Sequence, residues 1–356
     1  MKNRDDLLFD AKGIAGRLVP VDQAVGMVIP HDITEIVAGK KKGPAFKKGH
    51  VIRQQDIDRL KDLGKFHIYV LDLGHDRVHE DEAALMLAEV ACGPGVRPDK
   101  EISEGKVAFK ADRDGLFKVD RQALYRFNLL GDVMLATLHE NTVVKKGVQV
   151  AAGRAIPLVV KRDVMDRAVD ILKQAGGLLT VRPFSIRRAA VVVTGREVYE
   201  GRIEDAFGPA MSRKLEAFGV EVGSVVKVPD DIEMIASAIR DAVSAGAEFV
   251  VCTGGMSVDP DDVTRVAIRQ AGAEGITYGS PVLPGAMFLV SYIGRVPVVG
   301  IPACGMYFKN TVFDLMLPRL LAGERIGREQ IAAMGHGGLC LGCRNCNYPV
   351  CPFGKN

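Results

Sequence analysis

The chain has 356 residues, of which 47% are hydrophobic and 26% charged, enough for a full hydrophobic core and for two or three domains. Lysine and arginine exceed aspartate and glutamate by only three, so we expect no nucleic-acid or membrane partner and favour a small-molecule ligand. The charged start, MKNRDDLLFD, is unlike a signal peptide, and no apolar run is long enough for a membrane span, which predicts a cytoplasmic protein.

Residues 1–186 combine short strand-like pieces with helical patterns near 55–63, 79–91 and 162–175. Two lysine-lysine-glycine turns, in FKKGHVI and VKKGVQV, are typical of hairpins or small barrels. We therefore predict a mixed α+β N-terminal region with barrel-like strands. It forms either one domain or two interleaved subdomains that divide near CGPGVRPDK at 92–100.

Strand and helix patterns alternate over residues 187–325. The predicted strands are AAVVVT (189–194), VEVGSVVKV (220–228) and EFVVCT (248–253), and the predicted helices follow Asp205, Pro229 and Asp259. Two or three further strands are predicted within 275–305, with a hairpin turn at YIGRVP, and a last helix at about 306–321. Buried-type strands that alternate with helices predict an α/β domain, a three-layer, mostly parallel sheet with helices on both faces.

Two glycine turns follow neighbouring strand patterns in this domain. Thr194 and Gly195 come directly after AAVVV, and Thr253, Gly254 and Gly255 come after EFVVC. Ligands of parallel sheets bind beyond the carboxyl ends of the strands, where glycine lets the backbone approach a phosphate closely. The two turns together predict a phosphate-binding cradle.

The aspartates after the second glycine turn have two interpretations. Asp259 and Pro260 fit a helix start, and Asp261 fits the first turn of that helix. Helical spacing directs Asp262 instead towards the mouth of the sheet. A carboxylate there repels a bound phosphate unless a cation lies between them, and Mg²⁺ binds a few carboxylates together with phosphate oxygens. We predict a metal-binding or acid/base role for Asp262.

Five segments carry a resemblance to a known family. They are TGREVYEGRIEDA (194–206), PDDIEMIASAI (229–239), TGGMSVDPDDVT (253–264), LPGAMF (283–288) and GIPACG (300–305). Together they resemble the molybdopterin-binding domain shared by molybdopterin molybdenumtransferases, molybdopterin adenylyltransferases and the competence-damage-inducible type of nucleotide-processing protein. GGMSV followed by Asp262 is most similar to the molybdenumtransferase branch.

The resemblance implies a pocket for molybdopterin or its adenylylated form, in which molybdate is inserted with Mg²⁺-assisted loss of AMP. It implies catalytic roles for Asp262, Asp205 and Ser257. The matching substrate-binding positions are Thr194, Gly195, Glu197, Thr253, Gly254, Gly255, Pro284, Gly285 and Pro302. The implied partners are a small-molecule pterin and nucleotide, a second copy of the chain in a homo-oligomer, and a molybdenum enzyme that receives the cofactor.

Two turns depart from the pattern of the family. Residues 205–207 read Asp-Ala-Phe in place of the usual Asp-Ser-Asn, and residues 302–305 read Pro-Ala-Cys-Gly in place of Pro-Gly-Asn-Pro. Two other functions therefore stay open. One is adenylyl transfer to the pterin or hydrolysis of a nucleotide anhydride, and the other is a non-catalytic molybdopterin carrier or sensor.

The last segment, 326–356, contains four cysteines in CLGCRNCNYPVCPFGKN: Cys340, Cys343, Cys346 and Cys351. In a reducing cytoplasm such a cluster is unlike a disulfide framework and typical of a metal site with four thiolates, with a redox-active tail that binds no metal as the alternative. The run is similar to ferredoxin-type [4Fe–4S] ligation, including the proline after the last cysteine, and zinc stays open. We predict a short cysteine-rich, metal-binding tail.

Overall fold

The structure is a computed structural model that describes residues 17–35, 43–71, 76–100, 102, 105–257, 259 and 262–355. The chain divides into two compact units. The first comprises Met1–Arg113, Lys118–Leu138 and Val144–Val181, and the second comprises Asp114–Phe117, His139–Val143 and Arg182–Asn356. No helix in the described part of the chain is long and apolar enough to cross a membrane.

The helices are α1 Asp56–Asp62, α2 Glu80–Val90, α3 Arg121–Asn128, α4 Arg162–Gln174, α5 Arg196–Tyr199, α6 Phe207–Glu216, α7 Ile232–Ser244, α8 Thr264–Gln270, α9 Cys304–Tyr307, α10 Val312–Leu321 and α11 Arg328–Ala332. The strands of the N-terminal half are β1 Arg17–Pro20, β2 Ile33–Glu35, β3 Gly43–Phe46, β4 His67–Val70, β5 Arg77–His79, β6 Val96–Pro98, β7 Lys106–Ala111, β8 Gly115–Val119, β9 Val133–Thr137, β10 Val143–Val144, β11 Gln149–Ala155, β12 Val159–Lys161 and β13 Leu179–Arg182. The later strands are β14 Arg188–Thr194, β15 Glu221–Val228, β16 Phe249–Thr253, β17 Glu274–Tyr278, β18 Leu289–Ile293 and β19 Val296–Ile301.

The first unit combines antiparallel sheets with helices. Its four-stranded sheet has the order β6-β7-β11-β9, and α2 packs against β7 and β11. Both lysine-lysine-glycine segments are confirmed as turns, because His50 N–H donates to Lys47 O and Val148 N–H donates to Lys145 O, each at 3.1 Å. The predicted helices are confirmed as α1, α2 and α4, whereas α3 was not predicted.

The second unit contains a six-stranded sheet with the order β15-β14-β16-β19-β18-β17. Strand β14 is parallel to β15 and β16, and β16 is parallel to β19, whereas β17 and β18 are antiparallel to their neighbours. The sheet is therefore mostly parallel, as predicted. The hairpin predicted at YIGRVP joins β18 to β19.

Alternate residues of β14 face two different cores. Val191 and Val193 pack in the core that includes residues of α6 and α10, and Val192 packs in the core that includes residues of α7 and α8. Full burial of a valine side chain contributes about 1.5–3 kcal/mol, so a strand with valine on both faces is stable only between two layers of helices. Helices on both faces of the sheet are thus confirmed.

The predicted helix start at Asp259 is wrong, because α8 begins at Thr264. Asp262 N–H donates to Asp259 O at 3.0 Å, and an Asp262 carboxylate oxygen accepts the Asp259 N–H at 3.3 Å. These two bonds close a separate turn before the helix. Pro260 and Asp261, which were predicted for the first helical turn, lie outside the described residues.

The helix predicted at about 306–321 is two helices, α9 and α10. The Thr311 hydroxyl accepts the Phe313 N–H at 3.2 Å, and the Asp314 carboxylate accepts the Thr311 N–H at 2.7 Å. This capping box starts α10 at Val312 because it satisfies N–H groups that have no partner within the helix.

Candidate functional site

The carboxyl ends of three parallel strands lie side by side. Val193 of β14 pairs with Thr253 of β16, and Thr253 pairs with Ile301 of β19. Leu289, the first residue of the antiparallel β18, lies opposite Gly300, so the segment before β18 reaches the same edge. We call this edge the carboxyl edge. It comprises the described residues of 194–206, 253–263, 283–288 and 302–311.

The carboxyl edge brings together the two predicted glycine turns. The Thr194 hydroxyl donates to Thr253 O at 2.9 Å. Gly254 has a φ of 83°, and a Cβ at this position would lie 2.6 Å from Thr194 O. A Cβ on Gly255 would lie 2.4 Å from Thr264 Oγ1. Gly254 therefore packs directly against the first turn and Gly255 against the start of α8, so neither position has room for a side chain.

Three threonines lie beneath these turns. Thr194 Oγ1 is 3.2 Å from Thr264 Oγ1, and both side chains are buried. Thr253 Oγ1 is also buried, and it has no hydrogen-bond partner among the described residues. An unsatisfied buried hydroxyl costs about 1–3 kcal/mol.

Asp205, a predicted catalytic residue, caps α6. One carboxylate oxygen accepts the N–H groups of Phe207 and Gly208, both at 2.9 Å, and the residue is only 8% exposed. The carboxylate thus already stabilises the helix start.

Asp262 and Ser257, the other predicted catalytic residues, are half-buried at the carboxyl edge. Asp262 forms the turn with Asp259 described above, and the predicted substrate-binding Glu197 is exposed nearby along the edge. No group of three or more His, Cys, Asp or Glu in the described part of the chain is arranged to hold a metal by itself. Mg²⁺ usually takes only one or two protein carboxylates and completes its shell with phosphate and water, so a single carboxylate such as that of Asp262 is enough for the role predicted for it.

The predicted proline-glycine segment lies against the start of α10. Val312 N–H donates to Pro284 O at 3.1 Å, and a Cβ on Gly285 would lie 2.4 Å from the Val312 side chain. Pro302 is half-buried and begins the segment after β19, where Gly305 N–H donates to Pro302 O at 2.9 Å. All predicted substrate-binding residues therefore belong to the carboxyl edge.

Two contacts at the carboxyl edge were not anticipated. Asp230 accepts the Arg196 N–H at 2.9 Å and so holds the turn at Gly195. The Tyr278 hydroxyl donates to Met256 O at 2.8 Å and supports the second glycine turn. Asp230 belongs to the Pro-Asp-Asp sequence at 229–231, which predicts a helix start. In the structure only Asp231 of this sequence caps α7.

The cysteines of the second unit have different environments. Burial raises the pKa of the Cys304 thiol, which keeps it protonated and unreactive and fits a packing role. Cys340 and Cys351 are half-buried against the core, whereas Cys343 and Cys346 are exposed. All four tail cysteines are described, and the structure does not gather three of them into a metal-binding group.

Two family models match parts of the chain. Residues 18–72 match a domain of unknown function (DUF8806), and residues 190–322 match the probable molybdopterin binding domain. The second match includes every predicted catalytic and substrate-binding residue of the carboxyl edge. It supports molybdopterin binding, and the general area of molybdenum cofactor biosynthesis, for this part of the chain.

Curated relatives match shorter segments. A CinA-like protein of Mycobacterium avium is 36% identical over 88 residues, which are 24% of this chain and 20% of the relative. A CinA-like protein of Thermomicrobium roseum is 36% identical over 89 residues, 25% of this chain and 22% of the relative. A protein of Archaeoglobus fulgidus is 36% identical over 81 residues, 23% of this chain and 35% of the relative. The chain thus spans at most about a third of the length of these relatives.

Two solved structures are similar to part of this chain. CinA from Thermoplasma acidophilum has 18% identity and a TM-score of 0.34, and the match covers 37% of this chain and 96% of that one. The molybdopterin biosynthesis enzyme MoaB from Thermus thermophilus has 20% identity and a TM-score of 0.33, with 39% and 98% of the two chains covered.

Proposed function

We propose that the second unit binds molybdopterin, or its adenylylated form, at the carboxyl edge and inserts molybdate into it. The observation that carries this proposal is the contact between two glycine turns on neighbouring parallel strands, joined by the bond from Thr194 to Thr253. Both turns lie inside the segment that matches the probable molybdopterin binding domain. Adjacent turns of this kind suit a phosphate, because their backbone can approach its oxygens closely.

The groups at the carboxyl edge have different roles in ligand binding and in the reaction. We assign the phosphate oxygens of the ligand to the backbone of Gly254 and Gly255 and to the Ser257 hydroxyl. Asp262, with Asp259 beside it, would hold Mg²⁺, which when bound neutralises the phosphoanhydride that loses AMP. Because the edge carries several carboxylates, an anionic ligand would be repelled without such a cation.

We further propose that the four tail cysteines bind a metal centre, either [4Fe–4S] or zinc. The number of thiols supports a tetrahedral site, but the structure does not gather three of them, so binding requires the thiols to come together. The proposal extends to a homo-oligomer and to a molybdenum enzyme as recipient, which the family resemblance alone supports.

The test is AMP release by the full chain supplied with adenylylated molybdopterin and Mg²⁺, with and without molybdate. We expect release that depends on molybdate and falls about 10²-fold or more in Asp262→Asn, as for loss of an acid/base or charge-stabilising group. Asp241→Asn, an exposed carboxylate on α7, should leave the rate unchanged. Full activity of Asp262→Asn would refute the role of that residue.

Two other functions have specific support. The use of Asp205 as a helix cap favours a non-catalytic carrier or sensor, because one predicted catalytic carboxylate is already engaged. The resemblance of the five segments to the domain that adenylyltransferases and nucleotide-processing proteins share keeps adenylyl transfer or nucleotide-anhydride hydrolysis as the second alternative. Pterin binding with no AMP release would support the carrier, and AMP release without molybdate would support the hydrolase. No binding of molybdopterin or of its adenylylated form would refute the molybdate insertion and the carrier, and absence of nucleotide-anhydride cleavage as well would refute the hydrolase.

A further inference from the structure

Ser257 follows a residue that is fixed at two points. Met256, between Gly255 and Ser257, is only 2% exposed, and its side chain packs in the core that includes residues of α7 and α8. A Cβ on Gly300 of β19 would lie 2.5 Å from Met256 Cε, so this side chain lies directly against the glycine backbone. The Met256 carbonyl accepts the Tyr278 hydroxyl at 2.8 Å. The side chain and the carbonyl of Met256 are thus held by two different strands.

The register of the sheet places Tyr278 at the level of the carboxyl edge. Tyr278 is the last residue of β17 and pairs with Leu289, and Leu289 pairs with Gly300. The Tyr278 backbone therefore lies two strands away from β19, with β18 between them. A long side chain with a polar end is needed to reach Met256 O from this position.

Two arginines hold Tyr278 in turn. Arg265 of α8 lies over the tyrosine ring, with its Cζ 4.4 Å from the ring centroid. Arg328 of α11 donates to Tyr278 O at 2.7 Å and to Gly279 O at 3.1 Å. A cation over the aromatic face and two bonds to the backbone restrict both the ring and the strand end. We call Tyr278, Arg265 and Arg328 the tyrosine brace.

The second glycine turn is a segment whose order depends on such a support. Gly254 and Gly255 have φ angles of 83° and 57°. Glycine loses more conformational freedom on folding than any other residue, so two consecutive glycines make this turn costly to order. The bond from Tyr278 fixes Met256 O, directly after the two glycines and directly before Ser257.

We propose that Tyr278 is a positioning residue, whose hydroxyl fixes Met256 O and so holds the second glycine turn and Ser257 in the conformation that binds the ligand. The hydroxyl hydrogen is already donated to Met256 O, so Tyr278 acts through the turn rather than on the ligand. A turn that is ordered beforehand lowers the entropy cost of binding. The inference rests on the proposed function for its effect on affinity, whereas the effect on the order of the turn is independent of any ligand.

The neighbouring strand offers a matched control. Tyr292 of β18 also lies under an arginine, with Arg325 Cζ 4.3 Å from its ring centroid. Its hydroxyl donates to Ile326 O at 3.2 Å and accepts the Ile326 N–H at 2.6 Å. Both residues lie outside the carboxyl edge. Tyr292→Phe therefore removes a tyrosine hydroxyl and its hydrogen bonds without altering a contact of the glycine turns.

The first measurement is hydrogen exchange of the full chain without ligand. Tyr278→Phe keeps the ring and should speed exchange in 253–257 about two- to tenfold, as for the loss of one hydrogen bond. Tyr292→Phe should leave exchange in this segment unchanged. Unchanged exchange in Tyr278→Phe would overturn the proposal. Equal acceleration in both variants would also overturn it, because the cause would then be a general loss of stability.

The second measurement is the affinity of both variants for adenylylated molybdopterin in the presence of Mg²⁺. We expect Tyr278→Phe to bind about two- to tenfold more weakly and Tyr292→Phe to bind like the original chain. Faster exchange in Tyr278→Phe with unchanged affinity would overturn its role in binding and leave the ligand site intact. No binding by the original chain would refute the proposed function and that role with it. Faster exchange in Tyr278→Phe would even then support the fixing of the turn by the hydroxyl.

Discussion

Gly254 and Gly272 have similar φ angles, 83° and 93°, but different surroundings. A Cβ on Gly254 would lie 2.6 Å from Thr194 O, whereas nothing lies within 4 Å of a Cβ on Gly272. Both positions disfavour other residues because of their backbone conformation. Only Gly254 must also remain small for the two glycine turns to touch.

This difference predicts unequal effects of two alanine substitutions. Gly272→Ala should lower the free energy of unfolding by about 1–2 kcal/mol, the cost of a left-handed conformation with a side chain. Gly254→Ala should cost about 1–3 kcal/mol more, because its methyl group overpacks the strand end. Urea unfolding measures both values. Equal losses in the two variants would show that the turns are not packed as described.

The carboxylates show what a sequence motif leaves undetermined. Asp205 and Asp262 both match catalytic positions of the resembled family. In the structure Asp205 bonds to two N–H groups of its own helix, whereas Asp262 belongs to a turn at the carboxyl edge. Helix capping and catalysis select the same residue type, so only the positions of neighbouring N–H groups separate them.

Among the helices, boundaries were the least predictable feature. Helix α8 starts at Thr264 because Asp259 and Asp262 close their own turn, and hydrophobic spacing contains no signal for that turn. The break between α9 and α10 did have a signal, since Thr311 and Asp314 have the spacing of a capping box. Apolar periodicity describes which face of a helix is buried, but local hydrogen bonds decide where it begins.

Helix α1 of the first unit supplies a prediction for pH dependence. Asp56 accepts hydrogen bonds from the His50 ring at 2.7 Å and from the Arg53 N–H at 2.8 Å. Burial alone would raise the pKa of Asp56, but these bonds outweigh it and hold the pKa below the usual 3.8. The ionised carboxylate therefore stabilises the fold above the unfolded pKa, and this contribution is lost as the pH falls through the lower folded pKa.

We expect Asp56→Asn to lower the free energy of unfolding above pH 3.8. At lower pH the free energies of unfolding of the variant and the original chain should approach each other, because the carboxylate is then protonated in the original chain. Asp58→Asn, at an exposed position of the same helix, should change the pH profile little. Denaturant unfolding across this range provides the comparison. The same deficit at every pH would mean that the charge of Asp56 does not contribute.

For the whole chain, the sequence predicted the sheet of the second unit better than the architecture of the first. Valine-rich strands such as β14 and β16 are recognisable because both of their faces are buried, and the order of glycine turns along them identifies the carboxyl edge. The short strands of the first unit pair with strands distant in sequence, such as β1 with β4 and β7 with β11. Periodicity does not encode such pairings. The contacts of Gly338 and Cys340 with Leu283, and of Cys346 with Asn310, are equally non-local.

The most direct test of the ligand site is hydrogen exchange of the full chain with and without adenylylated molybdopterin and Mg²⁺. We expect the ligand to slow exchange in the backbone that follows β14, β16 and β19 and in the segment before β18, since these four stretches make up the carboxyl edge. Slower exchange that is confined to other parts of the chain would contradict a ligand site at this edge, and so would unchanged exchange at saturating ligand.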